Sequence, residues 1–147
     1  VVVAAALAAV RAYREPGFYD HLFTIADRLY AGINNIFQRH DVPGRAIGLG
    51  ARFGIYFGVP EQPQDFRDAL EHSRKWMLRF IASAIAHGVY FHDYGGGACH
   101  HGFCATMSGN DVDHTLDRLD HAVRSLSLHR PMNGHRVLAT AGLSKYA

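Results

Sequence analysis

Phe18, Leu22, Ile25, Leu29, Ile33 and Ile36 recur at steps of three and four residues. That spacing lines one face of an amphipathic helix and predicts a long helix over about Gly17–Arg39. Val112, Leu116, Leu119, Val123 and Leu126 repeat the pattern along Asp111–Leu128. Between these segments the period changes. Phe53, Ile55 and Phe57 alternate with Gly54, Tyr56 and Gly58, the pattern of a strand with one buried face. Arg52–Val59 and the preceding Ala46–Gly50 therefore read as two strands. The glycine face leaves room for another backbone, a helix or a ligand.

Glu71–His87 reads as a helix that buries Met77, Phe80, Ile81, Ala84 and Ile85, with Gly88 ending it. Asp65–Leu70 reads as a short helical turn. Val1–Arg14 is rich in Ala and Val. It predicts a helix that is apolar nearly all round and buried on several sides. Its cover is either the rest of the domain or a partner outside these residues. Glu15-Pro16-Gly17 breaks that helix, and Pro16 suits the first turn of the next one.

Gly88–Met107 is the stretch with the most chemistry. Two short apolar runs, Val89–Phe91 and Phe103–Ala105, are expected to be strands. They flank a glycine-rich loop carrying His92, Tyr94, Cys99, His100 and His101. Ser108 and Asp111 have the spacing of a capping box for the final helix. The predicted order is α, α, β, β, α, β, β, α. This is an α+β class: a small, mostly antiparallel sheet with helices packed on one face. One domain is expected over residues 1–128, and residues 129–147 form a tail without clear periodicity.

The 147 residues suffice for one domain with a modest core. A formal charge of +2 with no Lys/Arg run gives no reason to expect nucleic acid or an anionic membrane as partner. No apolar run reaches the ~20 residues needed to span a bilayer. Two cysteines five residues apart, Cys99 and Cys104, do not make a disulfide framework, so a reducing cytoplasmic setting is expected. The chain opens on valine in mid-helix pattern, as a piece of something longer would.

With the elements placed, four stretches carry a resemblance. They are Val2–Ala9; Glu15-Pro-Gly-Phe-Tyr-Asp20 with Ala26-Asp-Arg-Leu29 and Gly32; Phe53-Gly-Ile-Tyr-Phe57; and Gly88-Val-Tyr-Phe91 with His101-Gly-Phe103, Asp111-Val-Asp113 and Thr115. In order and spacing they resemble the C-terminal small domain of class III pyridoxal-phosphate (PLP) aminotransferases. The glutamate-1-semialdehyde 2,1-aminomutase branch is the nearest in pattern. The resemblance implies a domain normally joined to a large domain that holds PLP on a lysine. It also implies a homodimer acting on small amino and keto substrates. The only lysines, Lys75 and Lys145, sit in no motif like the family's, so no catalytic lysine carries over. The aminomutase branch has an acidic residue facing the substrate entrance where this chain has His100. By resemblance His100, His101 and Tyr94 line that entrance. The change of an acid to His100 argues against the aminomutase reaction itself.

Two other functions compete with a catalytically silent aminotransferase domain. One is a self-associating binding module, which an apolar surface would favour. The other is a metal site. Cys99, His100, His101 and Cys104, with His92 near, are ligand types that zinc accepts. On a strand, however, Cys99 and His101 point opposite to His100 and Cys104, so the four do not converge. His21, His72, His87, His114 and His121 are expected on helices, mostly on the polar side.

Overall fold

The structure is a computed structural model and describes residues 1–59, 62–92, 95–98 and 100–128. The chain order is α1 (Val2–Tyr13), α2 (Phe18–Arg39), β1 (Gly44–Leu49), β2 (Arg52–Phe57), α3 (Phe66–Leu70), α4 (Arg74–Ala86), β3 (His101–Gly102) and α5 (Gly109–Leu128). The strands form one antiparallel sheet in the order β1-β2-β3. The fold is α+β as the hydrophobic pattern predicts, and residues 129–147 lie outside the described residues.

The core forms where the periodic faces meet. Ile25, Leu29, Ile33, Ile36 and Phe37 of α2 pack with Phe53, Ile55 and Phe57 of β2. Met77, Phe80, Ile81 and Ala84 of α4 and Val112, Leu119, Val123 and Leu126 of α5 complete it. β1 presents little bulk to this core. At Gly44 a Cβ would stand 2.7 Å from the Phe57 ring and 2.8 Å from the Phe37 ring, so a side chain there would displace both.

Helix ends follow local backbone chemistry. After α4, Gly88 takes a left-handed φ of 81°. The Gly88 and Val89 N–H groups then donate to Ile85 and Ala84 carbonyls at 2.9 and 2.8 Å, closing the last turn in a Schellman motif. α2 ends the same way with Asp41 in the glycine place, at φ 51°. Val42 N–H reaches the Phe37 carbonyl at 2.9 Å. At α5 the capping box is present. The Asp111 carboxylate accepts from the Ser108 N–H at 2.7 Å, and the Asp111 N–H donates to Ser108 Oγ at 3.3 Å.

The free edge of β1 is closed by a side chain. Asn34 Nδ2 donates to the Ala46 carbonyl at 3.1 Å, and its Oδ1 accepts the Ala46 N–H at 2.7 Å. One amide thus imitates a neighbouring strand at the middle of an edge that would otherwise template aggregation. Asn34→Ala is expected to cost ~1–3 kcal/mol, because it strips two backbone partners at once. Urea denaturation with light scattering reads both the loss and any edge-to-edge association.

Four expectations need correction. Val89–Phe91 is not a strand. The Val89 N–H is spent closing α4, and Phe91 is held by ring packing against Phe80 and His101, centroids 5.2 and 4.9 Å away. Phe103–Ala105 is not a strand either. The pairing stops at Gly102, and a turn bonds the Met107 N–H to the Cys104 carbonyl at 3.1 Å. α4 starts at Arg74, not Glu71, since His72 turns inward and Ser73 N–H bonds the Phe57 carbonyl at 2.8 Å. Finally, α1 buries none of its residues; of the two covers its composition allows, the rest of the domain is not the one.

Candidate functional site

The two flanks of the glycine-rich loop, Gly88 to Phe91 and Gly102 to Met107, and the first half of α5 line an open groove of about 1180 Å³. Arg52 and Phe53 enter it from β2, Phe103 from the segment after β3, and Asp111, His114 and Arg118 from α5. The last three stand at i, i+3 and i+7, so helical spacing alone puts them on one face. The same spacing makes that polar stripe readable in the sequence.

The groove holds its polar groups in place. Asp111 accepts from Ser108 Oγ at 2.6 Å, and the Ser108 bonds hold its carboxyl below the usual range. Arg118 lays its guanidinium over Gly88. Its Nη1 is 3.5 Å from the Gly88 carbonyl, and a Cβ on Gly88 would lie 2.2 Å from that nitrogen. Gly88 therefore has two duties: it ends α4 and it seats Arg118. Cys104 also lines the groove. Its sulfur is 3.0 Å from Thr106 Oγ1, and hydrogen bonding to Thr106 lowers its thiol pKa. Such a surface can bind and orient an anionic group. Among the described residues that line it there is no lysine.

The predicted entrance residues part company. His100 is exposed, whereas the His101 ring is buried between Phe53 and Phe91, with centroids at 5.5 and 4.9 Å. Neither His101 ring nitrogen has a hydrogen-bond partner among the described residues. Burial, with smaller contributions from His92 and His100, pushes its pKa down to about 4. Tyr94 and Cys99 lie outside the described residues. Among the described residues no three His, Cys, Asp or Glu side chains converge as metal ligands.

His72 is also misplaced by pattern reading. It is buried in the turn between α3 and α4 and not solvated on a helix. A signal was available: Ser73 is a natural N-cap, which makes His72 a residue outside the helix. His21 bridges towards the Ala105 and Met107 carbonyls, each 3.1 Å from Nε2.

No family model matches the chain. Over 117 residues it is 32% identical to the glutamate-1-semialdehyde 2,1-aminomutase of Nitrosomonas europaea, covering 79% of this chain and 26% of that enzyme. The chain is related to the aminotransferases and aminomutases. Its fold agrees. An omega-transaminase from Sphaerobacter thermophilus superposes with a TM-score of 0.58 at 19% identity, over 75% of this chain and 24% of that one. The PLP internal aldimine form of the FumI protein from Sphingopyxis sp. MTA144 gives 0.61 at 23% identity, over 84% and 26%.

The chain thus spans about a quarter of these relatives. Its described residues do not fit PLP as a resident group. Lys75 is exposed on α4, away from the groove lining, and Lys145 lies outside the described residues.

Proposed function

We propose that residues 1–128 form the small domain of a class III PLP-dependent aminotransferase or aminomutase, completed by a large domain that carries the cofactor. One observation supports this most. α1 exposes Val2, Val3, Leu7 and Val10 to water and buries nothing, a state an apolar helix keeps only when another surface normally covers it. The relatives' extra length is where such a surface belongs. In this reading amino-group transfer belongs to the complete, cytoplasmic, homodimeric enzyme acting on small amino and keto compounds. By resemblance, His100, His101 and Tyr94 belong to its substrate entrance. A protonated imidazole at His100 favours a carboxylate where an acid would repel it.

Alone, the chain is expected to be catalytically silent. Incubation with PLP followed by borohydride should label neither Lys75 nor Lys145. A label on either lysine with turnover would overturn this. The DNA upstream of Val1 gives the positive test: a reading frame that continues into a Gly-Asn-Pro segment, with a lysine-bearing strand end before it.

The same bare helix favours a second reading, self-association without catalysis. A stable dimer by light scattering that dissociates on Leu7→Glu supports it. A monomer at high concentration refutes it.

A further inference from the structure

His72 touches two segments that are far apart in sequence. Its Nδ1 lies 2.9 Å from the Phe57 nitrogen at the end of β2. A backbone N–H only donates, so Nδ1 carries no proton. Its Nε2 lies 3.1 Å from the Gly96 carbonyl. A carbonyl only accepts, so the proton is on Nε2. The two partners fix one neutral tautomer. An imidazolium would set Nδ1–H against the Phe57 N–H and lose that bond.

Gly96 belongs to a turn shaped for this seat. Gly95 and Gly96 have left-handed φ values of 69° and 79°. A Cβ on Gly96 would stand 2.9 Å from the Arg74 carbonyl and 3.0 Å from Leu78 Cγ. The neighbouring Gly95 carbonyl accepts from Arg74 Nε at 2.8 Å and Nη2 at 2.5 Å. Two successive carbonyls are thus gripped by two residues flanking Ser73.

We propose that His72 and Arg74 form a clasp that joins the glycine turn to β2, and that protonation of His72 opens it on the β2 side, at Phe57, while Nε2–H stays on Gly96, so that the attachment of this turn to β2 depends on pH.

The surroundings support closure at neutral pH. Tyr56 of β2 meets the imidazole edge-on at 6.1 Å, and the Phe57 ring lies 6.2 Å away. Arg74 is the nearby cation on α4, and Glu71 is the acid in the same turn. Burial lowers the His72 pKa, opposed by the Gly96 bond. The clasp is therefore complete above the ordinary histidine value and is lost as pH falls through the lowered value of the folded state.

The test is NMR on the chain in a His101→Phe background, which removes the other buried histidine from the titration. Long-range imidazole spectra should show the Nε2–H tautomer. Between about pH 7.5 and about pH 4.5, the Phe57 and Gly96 amides should shift together with a midpoint below ~6.5. Hydrogen exchange at the Phe57 amide, corrected for intrinsic chemistry, should quicken by up to ~tenfold per unit once the clasp is protonating. His72→Gln offers an oxygen to Phe57 and an N–H to Gly96 without titrating, and should keep the turn seated across the range. An Nδ1–H tautomer, pH-independent Phe57 exchange, or the same transition in His72→Gln would each overturn the proposal.

Discussion

Phe57→Ala is expected to cost ~3–5 kcal/mol of unfolding free energy, as removal of a fully enclosed aromatic ring generally does. Phe57 is completely buried, and its ring joins three elements. It meets Phe37 of α2 at 5.3 Å, Phe80 of α4 at 5.4 Å and stacks on Trp76 at 6.2 Å. Its backbone is equally occupied, with the N–H on His72 and the carbonyl on Ser73. The substituted chain keeps those bonds but must keep a cavity or collapse α2 onto α4. Set against a total stability of ~5–15 kcal/mol, the loss is a large share. Urea unfolding should show a lower midpoint with an unchanged slope. Phe57→Leu, which retains most of the volume, should lose clearly less; equal losses would refute the cavity argument.

Acidification from neutral pH to pH ~4 is expected to remove ~3 kcal/mol through His101 alone, at ~1.36 kcal/mol per pKa unit. Its folded pKa, about 4, lies below the ordinary value of 6.5 because burial penalises the charged ring. The unfolded chain therefore takes up a proton before the folded one does. The stabilisation is complete above ~6.5 and is lost as pH falls towards ~4. His72, also lowered, acts in the same direction. His101→Phe should flatten the profile over this window. It should also stabilise the chain at neutral pH by ~1–2 kcal/mol, since a ring without polar atoms replaces one whose nitrogens lack partners among the described residues. Urea midpoints measured from pH 7 down to ~4 for both proteins decide this. A parallel fall in the two would place the acid sensitivity elsewhere.

Long periods were legible and short runs were not. α2 and α5 each offer five or six apolar positions on one face, enough to outweigh any local preference. β2 was equally plain, because Phe53, Ile55 and Phe57 alternate without interruption. Val89–Phe91 misled because a three-residue apolar run satisfies a strand, a helix cap and a ring anchor alike. What separated them was the Schellman closure that uses the Val89 N–H, a backbone detail that composition does not carry. His72 misled for a related reason: periodicity assigns a face only inside a helix, and this residue lies just before one. Of the entrance residues, His100 and His101 differ only by one step along the chain. That one step separates solvent from the aromatic core.

The bare flank of α1 has an energetic corollary. A helix of 12 residues is too short to hold its shape in water by propensity alone. Its winding and its docking are then a single thermodynamic event. Joining a second surface should register calorimetrically as a heat-capacity drop larger than rigid bodies of that footprint would give, together with a gain in far-ultraviolet circular dichroism.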